Sequence, residues 1–419
     1  MNVLQTLPCE TARRLAVIKQ RLAGARPSAS SEGIMEVVQS LGYLQFDPIK
    51  VVEQSHLLVL WSRLGAYDLN HFNRLLWKER RLFEDWAQTS SIVLTEDYPI
   101  FHTFKRSYAT GSQPWAKRIR AWTEKNKEFR SYILERLSDG SHFSKDFEDK
   151  AIEDWQSTGW TAGRNVDMML NILRAQGLVM IAGREKGKKL WALTEHHLPS
   201  WVSRKRLSDR ETFRRIAEKS LKALGVARSG HIKRHYIRGC CPNIEGVLTE
   251  LEEEDRITRV EIHENGRRWR GPWYIHSSDI PLLDKLRDDE WEPRTTLLSP
   301  FDNLICDRGR TEQLFNFRFR FEVYVPKSKR IYGCYVMPIL KGDRLIGRID
   351  PVMDRARRRL KINAVYVEPN AETTNEAGQM VVDAIESLGA FLGAEKVIYS
   401  RQVPAAWKNS FQETRETCE

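Results

Sequence analysis

Apolar residues recur with helical spacing three times in the first 65 residues. The pattern predicts helices over residues 11–24, 32–41 and 52–64, and a glycine follows each of the last two. Between the second and third helices lies the stretch LQFDPI, which is typical of a short strand. The chain therefore begins with a small module of helices and strand.

The same order of helices followed by a hairpin returns twice. From residue 126, two helical runs precede LVMIAGREKGKKLWALT, which predicts two strands around a turn with Gly183 and Gly187. Residues 208–280 repeat the order with three helices and two strands around an Asn-Gly turn. This outline is typical of a winged helix. For the segment that starts at 126, a different small α+β domain is the alternative.

The pattern changes after residue 295, where LFNFRFRFEVYV, IYGCYVMPILKGDRLIGRID and RLKINAVYVEP alternate like strands. A final amphipathic run, NEAGQMVVDAIESLGAFLGA, predicts a helix packed on them. We therefore predict an α+β fold with three tandem winged-helix domains and a small C-terminal antiparallel β-barrel with a packed helix. The predicted domains are 1–125, 126–205, 206–290 and 291–419.

Composition and charge indicate which class of molecule the protein binds. The net charge is +11 and the sequence pI about 9.3, which favours a polyanion such as nucleic acid, although mildly basic enzymes are common. We expect no membrane association, because no apolar run of membrane-spanning length and no signal peptide occurs. The six cysteines form no CxxC pair and the histidines have no metal-ligand spacing, so we expect a cytoplasmic protein without a metal site.

The polar pair Gln45 and Asp47 lies in the otherwise apolar stretch LQFDPI. Residues two apart in a strand point to the same face, and Pro48 biases Asp47 toward an extended backbone. The alternative is that Asp47 is only a turn residue before a proline. A cationic alkylated base leaves without protonation, so one carboxylate is enough to activate water and to stabilise an oxocarbenium-like sugar. The pair therefore suits N-glycosidic cleavage, with nearby Lys and Arg keeping Asp47 ionised.

Basic side chains cluster at two places that could contact phosphates. The second wing carries Arg184, Lys186, Lys188 and Lys189, for which a solvated hairpin tip is the alternative. Residues 341–361 hold eight basic residues against three acidic ones, a net charge of +5, with a solvated loop as the alternative. The candidates for DNA contact within this segment are Arg355, Arg357, Arg358 and Arg359, and two further candidates are Arg308 and Arg310.

Two stretches resemble the crosslink-repair DNA glycosylase family (AlkZ/YcaQ-like). They are LQFDPI with the following HLLVLWSRLGAYD, and the long block that begins LLSPFDNLICDRGR. The resemblance covers roughly residues 5 to 400, and the SPFD block is its specific part. It implies three winged helices and a β-barrel around DNA, excision of N7-alkylated purines, and unhooking of interstrand crosslinks without a cofactor.

By this resemblance, Asp47 is the catalytic carboxylate and Gln45 orients the water, which places the chain in the Gln-x-Asp (YcaQ-like) subgroup. His56, Trp86 and Gln88 are candidates for lining the site. The family pattern has a histidine at position 88, a proline at 303 and a tryptophan at 306, where this chain has Gln88, Asn303 and Cys306.

The resulting prediction is a monofunctional DNA glycosylase of base excision repair. We expect it to act as a monomer on alkylated or crosslinked double-stranded DNA in the cytoplasm, associated with the nucleoid. The alternative is a non-catalytic winged-helix DNA-binding protein such as a transcriptional regulator. It has no evident use for a carboxylate that faces DNA.

Overall fold

The computed structural model describes residues 5–106, 108–156, 164–237, 241–369, 371–400 and 402–411. The fold mixes helices and sheets, as predicted. The chain divides into two compact units. The first comprises Met1–Phe72, Trp86–Ile92 and Ile216–Glu419, and the second comprises Asn73–Asp85 and Val93–Arg215. This division does not resolve smaller modules, so the four domain boundaries expected from the sequence stay predictions.

Strands and helices are interspersed along the chain. The strands are β1 Gln5–Pro8, β2 Tyr43–Gln45, β3 Leu82–Trp86, β4 Ser90–Leu94, β5 His142–Phe143, β6 Val179–Glu185, β7 Lys188–Leu193, β8 Val226–Ala227, β9 Ile257–Glu264, β10 Arg267–Arg268, β11 Trp273–His276, β12 Thr295–Leu297, β13 Met337–Lys341, β14 Arg344–Asp354, β15 Arg359–Val367 and β16 Lys396–Tyr399. The helices are α1 Cys9–Lys19, α2 Ser31–Leu41, α3 Ser55–Leu64, α4 Leu69–Asn73, α5 Tyr98–Arg106, α6 Pro114–Lys125, α7 Lys127–Ser138, α8 Asn165–Ala175, α9 Thr194–His197, α10 Asp209–Leu224, α11 Ser229–His235, α12 Ile244–Glu253, α13 Ile280–Arg287, α14 Arg308–Phe315 and α15 Asn375–Phe391. A π-helical turn follows α4 over Arg74–Lys78.

The N-terminal segment of the first unit packs with residues far along the chain. Strand β1 pairs in parallel with β9, so that Leu7 lies opposite Ile262. The sheet order is β1–β9–β11–β8, and its apolar face shares a core with α1 and α13. The turn between β9 and β10 uses Asn265 and Gly266, both with positive φ, as the Asn-Gly signal predicts.

The second unit holds a sheet of order β5–β7–β6 beside helices α6, α7 and α8. Their apolar faces form one core that includes Phe129, Leu170 and Trp191. The predicted wing is the β6–β7 hairpin. Its turn is Lys186-Gly187, with φ of 47° and 82°. Gly183 lies inside β6 at a register shift rather than in the turn.

The C-terminal strands form an open sheet of order β12–β13–β14–β15–β16. The path has two free ends in the described part of the chain, so the predicted closed barrel is not observed. Helix α15 packs on this sheet, as predicted. The packing is close, since a Cβ added at Gly389 would lie 2.9 Å from Cγ2 of Val397.

The aromatic stretch at 314–325 was predicted to be a strand, and this prediction is wrong. Side chains supply the hydrogen bonds of the segment that a neighbouring strand would otherwise provide. The buried carboxylate of Glu322 accepts from the backbone N–H groups of Ile331, Tyr332 and Gly333 at 2.9, 3.0 and 3.4 Å. In return, Arg330 donates to the Val325 carbonyl at 2.8 Å. Residues 322–333 therefore form a loop closed on itself.

In the described ranges, no helix combines the length and the apolar character that crossing a bilayer would require.

Candidate active site

Strand β2 delivers Gln45 to the end of a buried segment. Tyr43 and Leu44 are buried, whereas Gln45 is half-buried and ends the strand. The Phe46 N–H donates to the Ser90 carbonyl at 2.9 Å, so pairing continues for one residue. Asp47 follows immediately after this last hydrogen bond. The strand predicted through Asp47 is thus shorter than expected, but Gln45 and Asp47 still flank its end.

Hydrogen bonds fix the backbone of both residues. The Ser55 hydroxyl, at the start of α3, donates to the Gln45 carbonyl at 2.6 Å and accepts from the Asp47 N–H at 3.1 Å. Oδ1 of Asp47 accepts from the Ile49 N–H at 2.9 Å. Asp47 is therefore a turn residue before a proline, as the alternative interpretation has it. That geometry occupies only one of its carboxylate oxygens.

The electrostatics of Asp47 differ from the expectation. Burial raises the pKa of the Asp47 carboxyl, and the Ile49 N–H opposes the shift. In the described part of the chain no Lys or Arg forms an ion pair with Asp47, so the prediction that nearby cations keep it ionised is wrong. A raised pKa makes the carboxylate a stronger base than an exposed aspartate.

Tyr335 is a neighbour that the sequence did not reveal. Its hydroxyl donates to the Glu53 carbonyl at 3.4 Å. Burial raises the pKa of this phenol, and the nearby charges of Asp47 and Glu53 raise it further, against a hydrogen bond with Ser299. The phenol therefore stays protonated and lies in the field of both carboxylates. It comes from a segment nearly 300 residues after Asp47, so no local pattern signals it.

Arg355 holds the loop that carries Asp47. Its guanidinium donates to the Lys50 carbonyl at 3.1 Å and to the Val52 carbonyl at 2.5 Å, and lies 3.3 Å from the Glu53 carboxylate. Lys50 also pairs with Glu53, at 2.9 Å. The Met353 N–H adds a hydrogen bond to the Val51 carbonyl at 3.1 Å. Arg355 therefore binds the loop after β2 in this structure, whereas the sequence suggested that it contacts phosphate.

The candidate lining residues have different environments. His56 is buried, with its ring stacked on Phe46 at 5.1 Å and tilted against Phe72 at 5.4 Å. Trp86 is exposed. Gln88 lies in the turn between β3 and β4, where it lines a cavity with Asn303 and Cys306. The three positions that depart from the family pattern therefore meet in one place.

The SPFD block, residues 299–302, and the residue after it connect distant segments of the first unit. Asp302 forms a bidentate ion pair with Arg63, and both side chains are fully buried. The next residue, Asn303, donates from Nδ2 to the Tyr43 carbonyl at 3.0 Å. The block therefore fastens the C-terminal half of the chain to α3 and β2.

Two of the predicted DNA contacts face inward. Arg310 is 1% exposed and donates to the carbonyls of Leu224 and Val226 at 2.7 and 3.2 Å, so the expectation that it binds phosphate is wrong. Arg308 donates to the carbonyls of Ile305 and Pro300 and covers the Phe319 ring. Burial lowers the pKa of both arginines to about 10.

The wing presents fewer free cations than its sequence suggests. Arg184 forms a bidentate ion pair with the buried Glu84, at 2.6 and 2.8 Å. Lys189 is half-buried over the Trp191 ring, and burial lowers its pKa. Lys186 and Lys188 are exposed on either side of the turn glycine. These two remain the wing's candidates for phosphate contact.

Arg357 and Arg358 lie in the β14–β15 turn and are exposed. Arg357 pairs with Asp354 at 3.4 Å and Arg358 with Glu395 at 2.5 Å. Surface pairs of this kind contribute little to stability, so phosphate can compete for the two arginines. Their contact with DNA stays a prediction.

No cluster of metal-ligand residues occurs among the residues that the structure describes. Cys9, Cys306 and Cys334 are free thiols, while Cys240 and Cys418 lie outside the described ranges.

Comparison with known proteins gives the family. The sequence profile described as "DNA glycosylase AlkZ-like" matches residues 38–391, which is most of the chain. The chain belongs to the AlkZ-like DNA glycosylase family. The structure is also similar to the Streptomyces sahachiroi DNA glycosylase AlkZ, with a TM-score of 0.65 and 15% identity over 96% of this chain and 100% of that one.

Family membership makes this AlkZ-like protein an enzyme, a DNA glycosylase, rather than the non-catalytic regulator that was the alternative. It accounts for the DNA partner that the basic composition suggested. The structural similarity, at 15% identity, supports the fold alone.

Proposed function

We propose that this AlkZ-like glycosylase hydrolyses the N-glycosidic bond of cationic N7-alkylated purines in double-stranded DNA, including purines joined in interstrand crosslinks. Asp47 supplies the catalytic carboxylate and Gln45 orients the attacking water. Neither a metal nor a cofactor takes part. A monomeric state and a cytoplasmic, nucleoid-associated location stay predictions from the sequence.

The observation that carries this proposal is the state of Asp47. Several buried carboxylates of the chain are committed to cations, as Glu84 is to Arg184, Asp85 to Lys105 and Asp302 to Arg63. The buried carboxylates of Glu322 and Asp350 have no ion pair in the described residues, but each accepts three hydrogen bonds, whereas that of Asp47 accepts one. Asp47 is half-buried with a raised pKa and has no ion pair in the described residues. A carboxylate kept partly dry and unpaired costs stability, which is typical of a group reserved for chemistry.

The chemistry needs one base and a good leaving group. Water adds to C1′ as the C1′–N9 bond breaks, the electron pair of that bond neutralises the cationic purine, and Asp47 receives the proton from water. The developing positive charge on the sugar is stabilised by the same carboxylate. Gln45, as an amide, both donates and accepts hydrogen bonds and can hold the water in line.

The lesion specificity tests this mechanism. We expect excision of N7-methylguanine from a duplex, seen as strand cleavage after alkali treatment. Excision of the neutral lesion 1,N6-ethenoadenine should be at least about 100-fold slower, because assistance by protonation is typically worth 10²–10⁴-fold. The Asp47→Asn variant should excise N7-methylguanine at least about 100-fold more slowly than the wild type.

The control is Asp289→Asn, which removes one negative charge from an exposed position, where the side chain is 81% exposed. It should retain the wild-type rate. Equal rates on the two lesions, or full activity of Asp47→Asn, would show that a different group carries the chemistry.

A further inference from the structure

The loop between β2 and α3, residues 46–54, carries two carboxylates with one lysine between them. Lys50 is three residues after Asp47 and three residues before Glu53, so the sequence allows it to pair with either. In the structure its ammonium pairs with Glu53 at 2.9 Å, and no ion pair joins it to Asp47 in the described residues. The choice of Glu53 leaves Asp47 without a cation.

The Glu53 carboxylate is held through both of its oxygens. Oε1 pairs with Lys50 and accepts from the Gln54 N–H at 2.9 Å, while Oε2 lies 3.3 Å from the Arg355 guanidinium. The Glu53 side chain is only 13% exposed. Two cations and one N–H group therefore fix this negative charge within the loop.

The two cations differ in how firmly they are held. Arg355 also donates to the carbonyls of Lys50 and Val52, so it keeps two anchors if Glu53 is removed. The Lys50 side chain is 49% exposed, and Glu53 is its one ion-pair partner in the described part of the chain. Without Glu53, Lys50 is thus the cation that can move.

A move of Lys50 to Asp47 would change the chemistry of that carboxylate. An opposite charge within about 4–6 Å lowers the pKa of an aspartate by about 1–3 units, which makes it a weaker base. In the structure the pKa of Asp47 is raised by burial instead. The other titratable or charged groups at the loop are His56, which stacks on Phe46, the Tyr335 phenol and Arg355.

We propose that Glu53 is a positioning residue for the catalytic base, because it holds Lys50 away from Asp47. Asp47 then stays unpaired and able to receive a proton from water. The inference rests on the proposed function and deepens it, since it assigns the group that keeps the carboxylate unpaired.

The test is a double-mutant cycle on the intact protein. Single-turnover excision of N7-methylguanine from a duplex is followed from about pH 4 to about pH 8 in the wild type, Lys50→Gln, Glu53→Gln and the double variant. In Glu53→Gln the acidic midpoint should fall by about 1 unit or more, and the plateau rate should fall by up to about tenfold for each unit. Lys50→Gln should raise the midpoint far more in the Glu53→Gln background than in the wild type.

The matched control is Glu372→Gln, which also breaks a Glu–Lys pair of the first unit, with Lys341, at a side chain that is 66% exposed. It should keep the wild-type midpoint and rate. If Glu53→Gln excises nothing, the Asp47 carboxyl can be titrated directly by NMR with ¹³C-labelled aspartate. Its signal is assigned by its absence from Asp47→Asn.

An acidic midpoint that is unchanged or higher in Glu53→Gln would overturn the proposal. The same holds if Lys50→Gln shifts the midpoint equally in both backgrounds, because Glu53 would then act on Asp47 without Lys50. The proposed function fails by a different result, full activity of Asp47→Asn. In that case the NMR titration still decides whether Glu53 keeps Lys50 from Asp47.

Discussion

The groups that form hydrogen bonds with Asp47 are neutral, and this affects how strongly its carboxyl holds a proton. Its backbone N–H donates to the Ser55 hydroxyl and its carboxylate accepts from the Ile49 N–H. Neither group neutralises a negative charge as a guanidinium would. Because burial raises the pKa of the carboxyl, protonation becomes easier and the ionised form becomes a better base.

The pH dependence of excision follows from this shift. The rate should fall on acidification as Asp47 takes up a proton, with a midpoint above the ordinary pKa of 3.8. The substrate base is cationic at acid pH, so the acidic fall in rate reports on the enzyme. Single-turnover rates on N7-methylguanine duplexes from about pH 4 to about pH 8 would give this midpoint. The residual activity of Asp47→Asn should lack this acidic decline, and a decline that persists in the variant would assign it to another group.

At the scale of single residues, the sequence indicates the proposed site residues that are neighbours along the chain. It does not indicate those that come from far along the chain. Gln45 and Asp47 stand out because they interrupt an apolar run. Tyr335 and Arg355 contact the same loop from 282 and 305 residues away, and periodicity carries no information on such contacts. Arg310 shows the opposite error, since a basic residue in a polar-looking segment is buried to satisfy two backbone carbonyls.

Among the secondary-structure elements, the wing of the second unit carries two kinds of basic side chain. Some are exposed to solvent, and others are already bound to groups of the protein. The hairpin places Lys186 and Lys188 around a turn, while Arg184 neutralises the buried Glu84 and Lys189 covers Trp191. Only exposed cations release counterions from DNA at low cost, because a buried pair must first be broken.

Substitution in the wing should therefore give unequal effects. The double variant Lys186→Ala with Lys188→Ala should weaken DNA binding and reduce the salt slope of log K by up to about 0.9 for each lost phosphate contact. Lys189→Ala removes one charge from the same hairpin and should change the slope by less than half as much as the double variant. The measurement is binding to an undamaged duplex at several salt concentrations. A slope that the double variant leaves unaltered would mean that this wing does not touch DNA.

The wing and the segment at 314–325 show where an alternation of apolar and polar residues predicts a strand correctly and where it does not. In β6 and β7 the alternating residues pair with a neighbouring strand, and the prediction is confirmed. In the second segment Phe317 and Phe319 are buried and Arg318 and Arg320 exposed, yet no strand forms. Backbone carbonyls of this segment accept from the Arg330 and Arg348 side chains, and its Glu322 carboxylate accepts from the Ile331 N–H. A periodic pattern does not reveal these contacts.

For the whole molecule, histidines with lowered pKa values contribute to the response of stability to acid. Burial lowers the pKa of His197 in the second unit to about 4, and the first unit has two further cases, His231 and His235. Burial lowers the pKa of His231 to about 3 and that of His235 to about 4. In the unfolded chain both would titrate near 6.5. Between these values the unfolded state binds more protons than the folded one, so acidification favours unfolding.

We expect the free energy of unfolding to fall as the pH decreases from about 7 to about 5, by roughly 1 kcal/mol or more for each histidine. Most carboxylates titrate below this window, so the histidines dominate it. Denaturant unfolding followed by tryptophan fluorescence at several pH values would measure the decrease. His235→Gln, which can still donate to the Leu41 carbonyl, should flatten the dependence, and an unchanged slope would exclude His235 as a source.

The long-range ties of the Asp47 loop also determine when the enzyme becomes competent during its synthesis. The chain leaves the ribosome from the N-terminus, but the loop after β2 takes support from Met353 and Arg355, and β2 from Asn303. Strand β1 likewise cannot pair until β9 has been synthesised. A nascent or prematurely terminated chain that ends before these residues therefore carries both proposed catalytic side chains without the framework that positions them. Such incomplete chains should not release bases, and so spare the genome the abasic sites that a half-made glycosylase would leave.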